Sequence, residues 1–592
     1  MNATATEVDA PGTDAPTVAE PAADGPVAPD RPSWRTSLFR RPTFGGLAVA
    51  LLFWWESLSP TLMPRTAIAQ AAISAVCIGA ALVIGTFISW CVHHVLARFG
   101  RPVSPKVRRV AWGVLGAAAV VVVIAGLLVW VPWQNDHRDL MSTPHIGHAD
   151  LLPLVAVTLL LTAFLVIVGR VVWRGIRALD RWISRHLPRR AATWVTIIVV
   201  ILVGRWVFSN AFEGFDGWAR NQFGEVDNGT PDGVVQPTSP TSSGSPDSLI
   251  PWDTLGSQGR SFVAGATSQD DLRAFGDGAE STKGRDVLTP VRIYAGLQSA
   301  DDAEARAALA VKDLDRAGGF DRAAVIVTTV TGTGWVDPDA ARAVELMYGG
   351  DTAMVAIQYS YLPSWISFLV DAEVAQTAGS ELFNAVSAKV QSMPESERPK
   401  VLVFGLSLGS LGGEGAFSGR DARTSVANMV GRTDGALFVG PTNTNAIWRQ
   451  LVADRDDGST AWRPIYREGE QVRFANRNNE MVPSDPDWAA PRILYIQHPS
   501  DPVTFWSWET LWAEPEWIQD PTGYDVPDRA HWFPFVTWAQ GVADLSAGFG
   551  AAPGYGHDYS ISYVAGWAAV SSPEGWTDDD TLRLQDFVEQ QR

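Results

Sequence analysis

Five apolar runs of membrane-spanning length dominate the first third of the chain, at about 44–62, 67–92, 110–132, 151–173 and 192–209. Glu56 and Arg205 interrupt the first and last of them. Ionisable residues inside such runs are functional hypotheses by default and are usually paired, with snorkelling to the interface as the ordinary alternative. Residues 1–36 are mostly Ala, Pro, Asp and Thr with almost no large apolar side chain, the composition of a disordered tail. No cleavable signal peptide is expected, because the first apolar run begins only near Phe44. Residues 37–209 therefore read as a helical transmembrane domain, and residues 210–250, rich in Gly, Pro, Ser, Thr and Asp, as a flexible linker.

From Pro251 the periodicity changes. Short β-rich runs at 291–295, 323–329, 352–359, 400–404, 436–439 and 492–496 alternate with helical patterns at 303–317, 340–347, 372–393 and 408–430. Residues 532–548 also read as helix, and 581–591 as a closing amphipathic helix. Buried apolar strands alternating with helices predict a mainly parallel sheet covered on both faces, an α/β domain over 251–592. No internal repeat is present.

Charge sets the expected orientation. The formal charge of −18 is uneven: residues 251–592 hold 26 Lys and Arg against 47 Asp and Glu, whereas residues 1–250 hold 20 against 17. An acidic half behind a basic, apolar one argues against a nucleic-acid partner and for a lipid bilayer. Arg31, Arg35, Arg40 and Arg41 lie in the tail, Arg98, Arg101, Lys106, Arg108 and Arg109 in the second connection, and seven arginines from Arg170 to Arg190 in the fourth. The first and third connections offer only Arg65 and Arg138. The positive-inside rule then puts the tail in the cytoplasm and, after five spans, the C-terminal domain outside the cytoplasmic membrane. Cys77 and Cys91 both fall in one apolar run, so no disulfide framework or thiolate metal site is expected.

The chemistry centres on Val401–Phe404 running into Gly405-Leu406-Ser407-Leu408-Gly409. A strand, Gly-x-Ser-x-Gly and then small residues opening a helix is the form of a nucleophile elbow, in which the glycines leave room for a strained serine. Such a serine needs a base to take its proton and a carboxylate to orient the base, following it in the order acid, then histidine. Three histidines follow the linker, His498, His531 and His557. His557, in the Gly-flanked loop Gly554–Tyr559 before the last helix, fits the order best; His531 is the lesser candidate, and His498 precedes the best acid. That acid is Asp501, in a loop ending the apolar strand 493–496, with Asp558 and Asp528 as alternatives. An oxyanion hole needs two backbone N–H groups, one from Leu408. The other is expected from the Gly-rich loop Thr331–Trp335, at Thr333 or Gly334.

Thr331–Pro338, Gln358–Trp365, Gly405–Ser410, Thr433–Pro441 and His498–Val503 together resemble one family, the membrane-anchored α/β-hydrolases of actinobacteria that carry their own N-terminal membrane domain. The resemblance extends from about Phe44 onward. It implies an α/β-hydrolase catalytic domain with Ser407, Asp501 and His557 at the triad positions, and it supplies no substrate. Because 532–548 reads as helix, no strand is expected directly before His557.

Trp335, Trp506 and Trp508, with Trp512 and Trp517 close by, offer an acyl-binding wall or a lid facing the membrane, or simply core. His137, His145, His148, Asp136, Asp139 and Asp150 share one outer loop, which reads as a polar loop more readily than a metal or headgroup site, so no metal and no cofactor is expected. The combined expectation is a serine hydrolase or acyltransferase acting on an ester or lipid-linked substrate at the outer membrane face. A peptidase using the same three residues is the alternative within enzymes. An inactive hydrolase-fold scaffold for envelope assembly is the alternative outside them, and a transporter built on Glu56 and Arg205 is disfavoured by the scarcity of intramembrane charge. Nothing in the sequence bears on oligomeric state.

Overall fold

The computed structural model describes residues 42–99, 104–278, 286–363, 366–367, 371–481 and 488–591. The expected tail, residues 1–36, lies outside the described residues, as does Arg101. Five N-terminal helices follow the five apolar runs: α1 (Phe44–Ser57), α2 (Ala67–Arg98), α3 (Pro105–Leu140), α4 (Leu151–Ile183) and α5 (Arg189–Asn228). Four are long and apolar enough to cross a membrane. The first falls short of the expected 44–62, because α1 has only 14 residues. That is about 21 Å of helix against a hydrocarbon core of roughly 30 Å. The chain leaves α1 at Leu58, passes Pro60 and Pro64, and re-enters helix where Thr66 accepts a hydrogen bond from the Ala69 N–H at 3.3 Å. Helices α1 and α2 lie antiparallel, with the Ser57 and Ser74 hydroxyls 3.0 Å apart near one end and the Gly45 N–H bonded to Ser89 near the other. A Cβ on Gly85 would stand 2.2 Å from the Gly45 carbonyl, so here backbone touches backbone, as small residues permit between membrane helices.

The expected linker at 210–250 is not one. Helix α5 runs on without a break to Asn228, and the Ser/Pro-rich stretch after it is folded onto the sheet. Ser243 N–H donates to the Arg292 carbonyl and Arg292 N–H to the Thr241 carbonyl, each at 3.0 Å, covering the edge of the first strand. The Ser243 and Ser248 hydroxyls and the Leu249 N–H all reach Asp313. Composition suggested flexibility because these residues are small and polar. A bare sheet edge needs hydrogen-bonding partners, and small polar residues supply them.

Seven parallel strands form the sheet: β1 (Val291–Ala295), β2 (Ala324–Thr329), β3 (Thr352–Ile357), β4 (Lys400–Leu406), β5 (Gly435–Val439), β6 (Val472–Ala475) and β7 (Arg492–Ile496). Their order is β1-β3-β2-β4-β5-β7-β6, every adjacent pair parallel. Six strands match the β-rich runs. The seventh, β6, is a four-residue edge strand whose Arg473 disguised it as loop. Eight helices matter below: α6 (Ala303–Arg316), α7 (Pro338–Met347), α8 (Ala372–Gln391), α9 (Leu408–Glu414), α10 (Ala422–Val430), α11 (Val536–Gly548), α12 (Tyr563–Val570) and α13 (Asp578–Glu589). The expected helix 408–430 is split into α9 and α10, because Asp421 caps a new start through the Thr424 N–H at 2.8 Å. On β1, Arg292 meets Glu345 of α7 in a fully buried fork, with Nε–Oε1 at 2.6 Å and Nη2–Oε2 at 2.8 Å.

Helix α9 ends at Glu414, which is buried. Its carboxylate accepts from the Ile447 and Trp448 N–H groups at 2.9 and 3.2 Å, opening the helix Ala446–Ala453, and from the Tyr495 hydroxyl at 2.7 Å. Burial pushes the Glu414 carboxyl up to about 7, against the opposing pull of these donors. A carboxyl raised in the folded state binds its proton where the unfolded chain has already released it, so stability falls as pH rises from about 4.5 to about 7. Glu414→Gln is expected to flatten the fall in Tm across that window, measured by calorimetry. A slope equal to the wild type's would show that Glu414 does not titrate there.

Candidate active site

The strand β4 delivers Ser407 into a left-handed backbone conformation, φ 57° and ψ −125°, and α9 begins at the next residue. Two glycines make this possible. A Cβ on Gly405 would lie 2.2 Å from the Gly409 carbonyl oxygen, and one on Gly409 would lie 2.3 Å from the Thr329 carbonyl oxygen at the end of β2. The Ser407 N–H is held by the Val439 carbonyl at 2.9 Å, and its own carbonyl accepts from Ser410 Oγ at 2.6 Å. The side chain sits in a nearly closed site, the residue being 4% exposed.

Asp501 stands just past β7 and caps the short helix Pro502–Phe505 through the Val503 N–H to Oδ1 at 2.8 Å. Its other oxygen, Oδ2, accepts from His557 Nδ1 at 2.7 Å, from the Tyr559 hydroxyl at 2.7 Å and from Thr504 Oγ1 at 3.3 Å. With Nδ1 donating, His557 presents the lone pair on Nε2, which is buried and has no hydrogen-bond partner among the described residues. The ring lies against Gly440, directly after β5, where a Cβ would meet His557 Cε1 at 2.7 Å. Since Ser407 is bonded to the neighbouring Val439, serine and histidine converge on the same strand end. No strand precedes His557; helix α11 does, and the Gly548 carbonyl accepts the His557 N–H at 3.1 Å while Phe549 packs edge-on to the ring at 5.0 Å.

The other candidates fall elsewhere. His498 is buried beneath the loop, stacked on Tyr559 at 4.2 Å with Nδ1 bonded to the Gly556 carbonyl at 3.0 Å, and burial pushes it down to about 4, so it is neutral. His531 pairs with Glu56 of α1 at 2.7 Å, a partner for the ionisable residue noted in the first apolar run. Asp558 accepts the Ser560 N–H within its own loop, and Asp528 is exposed. At the end of α3 and in the α3–α4 connection, His145 bonds Asp139, Asp136 bonds Arg529 and Asp150 bonds the Gly147 N–H, and no group of metal-ligating side chains converges among the described residues. Tyr559 and Gly440 were present in the sequence blocks but carried no periodicity that would mark them as partners of the acid and the histidine.

The loop after β2 approaches Ser407 through Gly332, where a Cβ would lie 3.3 Å from Leu408 Cδ1 and 2.5 Å from Ser367 Cβ. Leu408 opens α9, so its N–H has no acceptor within the helix. Gly334 departs from expectation: its N–H is taken by the Thr331 carbonyl at 2.9 Å and its carbonyl by the Tyr294 hydroxyl at 2.7 Å. With φ at +83° it shapes the turn and leaves Gly332 and Thr333 to present N–H groups. Ser367 fixes the turn by bonding the Gly332 carbonyl at 3.2 Å, and is itself held by Asp371 at 3.1 Å. Trp335 is half-buried against the core, whereas Trp506 and Trp508 belong to an aromatic cluster with Trp538 of α11.

Helix α11 is also where the N-terminal apolar helices meet the site. Asp544 is buried and accepts from Thr61 Oγ1 at 2.5 Å and from Arg65 Nε at 3.3 Å, both in the turn between α1 and α2. Arg65 further donates to the Ser59 carbonyl and to Gln70, and contacts Thr61 Oγ1. Gln540 donates to the Ser57 and Ser59 carbonyls at 3.2 and 2.9 Å. The same turn inserts Leu62 and Met63 into the core of the α/β domain, and Met63 lies against Gly556, the residue before His557. On the opposite flank Asp227, at the end of α5, accepts from the Ser257 N–H and from Gln358, whose side chain packs on Gly334.

Two family models match the chain, one described as the alpha/beta-hydrolase family over residues 291–584 and the other as that family's N-terminus over residues 58–266. No curated protein and no solved structure matches it. The two family regions together take in the apolar helices from the α1–α2 turn onward and the whole sheet with its serine turn, so the chain belongs to the α/β-hydrolase family.

Proposed function

We propose that the protein is a membrane-anchored serine hydrolase or acyltransferase that acts on an ester, drawn from or linked to lipid, at the outer face of the cytoplasmic membrane. The observation that carries the reading is His557, with Nδ1 tied to Asp501 and a buried, unpartnered Nε2, over the strand end that also holds Ser407. In this reading Ser407 Oγ attacks the ester carbonyl carbon while His557 Nε2 takes its proton. Asp501 keeps the imidazole in the useful tautomer and balances its charge as it becomes imidazolium. The Leu408 N–H and an N–H of the Gly332–Thr333 turn receive the developing oxyanion. Collapse breaks the ester C–O bond, and His557 returns the proton to the leaving alcohol. Water or a second alcohol then attacks the acyl-serine, giving hydrolysis or transfer according to which one reaches the site.

Purified full-length protein treated with a fluorophosphonate should label at Ser407, and Ser407→Ala should lose both labelling and ester turnover, by roughly 10³-fold or more for a group acting as a unit. Folded wild-type protein that neither labels nor turns over esters would instead support an inactive scaffold.

Arg65 and Asp544 tie the α1–α2 turn to α11, the helix whose last carbonyl holds the His557 N–H. Arg65→Ala leaves a buried carboxylate without its cation, so labelling of Ser407 is expected to slow by at least about tenfold, since small misplacements of a base are costly in rate. Arg65→Lys should recover part of the loss. Equal rates in all three proteins would show that the turn does not position the histidine.

The uneven distribution of the loop arginines supports, by the positive-inside rule, a catalytic domain outside the cytoplasm. Protease added to intact cells should digest residues 251–592 and spare the N-terminal tail; removal of the tail with the domain untouched would reverse the orientation.

A further inference from the structure

Between Asp501 and His557 the chain keeps Phe505, Trp517 and Val526 in the α/β core and then leaves it over residues 533–539 to lie alongside α1 and α2. Phe533 and Phe535 pack against Phe53 of α1, with ring centres 5.3 and 6.4 Å apart. Val536 and Ala539 share one buried apolar cluster with Ala50 and Phe53 of α1 and with Ile73 and Cys77 of α2.

The depth of this contact can be read along the helices. Residues 71–92 of α2 are apolar apart from three hydroxyls, a length of about 33 Å that matches one hydrocarbon core. Arg65 and Gln70 lie beyond its upper end. Ser57 of α1 faces Ser74 of α2, and Phe53 lies a further turn in, about 6 Å deeper. Phe533, Phe535 and the start of α11 therefore stand roughly 10 Å inside the hydrocarbon boundary, within one leaflet of about 15 Å. Next to them Trp508 and Trp512 are 55% and 63% exposed, Trp508 packing on Trp538 at 5.3 Å, and the Phe535 N–H donates to the carbonyl of Leu511. Two indoles bare to water would be costly, whereas at the boundary of a bilayer they are in their preferred place.

We propose that the segment Phe533–Ala539, with Trp508 and Trp512 at its edge, is inserted in the leaflet nearest the catalytic domain, and that its aromatic face receives the acyl chain of a bilayer lipid and leads it to Ser407. The insertion stands on packing alone; the delivery rests on the serine-hydrolase reading. Continuity with α1 and α2 commits the exposed tryptophans to lipid. The far end of α11 supplies the link to chemistry, because its last carbonyl holds the His557 backbone and Phe549 contacts the His557 ring. The substrate class that follows is a long-chain acyl ester resident in the membrane.

The test uses the full chain in liposomes, with Cys77 and Cys91 replaced by Ala and one environment-sensitive fluorophore attached at W512C or, as a control on α13, at L582C, where Leu582 is 60% exposed. The 512 probe is expected to shift to the blue and to be quenched by lipid carrying a nitroxide near the headgroup, while the 582 probe is not. Equal behaviour of the two probes would overturn the insertion, and this readout holds even if Ser407 proves unreactive. In the native background, W508S/W512S should lower the ratio of turnover on a long-chain ester in liposomes to turnover on a soluble short ester by about tenfold, the scale of losing partial burial of aromatic side chains. An unchanged ratio in a protein that still labels at Ser407 would overturn the delivery while leaving the hydrolase reading intact.

Discussion

A single backbone angle organises the α/β half of this chain. Ser407 is held at φ 57°, where a residue with a Cβ is strained by about 1–3 kcal/mol, and nothing local relieves it. The strain persists because β4 is central in an all-parallel sheet and the turn is pinned on three sides. Gly409 lies on the end of β2, Val439 at the end of β5 holds the serine N–H, and Ser410 closes on the serine carbonyl. Removing room at either glycine forces backbone into backbone, so the turn and the sheet order are specified together.

The second requirement is a histidine that arrives from far along the chain with no strand to carry it. Its imidazole is oriented by Asp501, itself saturated by donors from Val503, Tyr559 and Thr504. Its backbone is oriented by α11, and α11 is fastened by Asp544 and Gln540 to the turn between α1 and α2. The N-terminal helical part is thus built into the support of the site. A buried arginine and carboxylate are expensive to desolvate, which is tolerable here because the arginine also satisfies carbonyls that the tight turn leaves open.

Much of this was legible in the sequence, and the reasons are physical. The strands are buried on both faces, so they read as unbroken apolar runs; the elbow needs glycine at two fixed offsets; and an acid just past β7 followed by a histidine loop has few competitors in a domain with three histidines. What stayed hidden depended on contacts between distant segments. Arg65 and Asp544 are 479 residues apart; Arg65 reads as a charge of the first connection, and nothing local marks Asp544 as its partner. Edge strand β6 is too short to show alternation. Residues 210–250 had the composition of a tether, which does not distinguish small polar residues that wave in solvent from those that seal a sheet edge. Gly334 was read as a donor because glycine allows close approach, yet its own N–H closes the turn.

The unbroken run of α5 to Asn228 has a mechanical consequence. A chain of Ser and Pro would let the domain tilt freely against the N-terminal helices. A continuous helix, whose last nineteen residues beyond position 209 extend about 28 Å, is a strut. With Asp227 gripping one flank of the domain and the α1–α2 turn gripping the other, the domain is braced at two separated points. The domain is thereby held in one attitude toward the N-terminal helices.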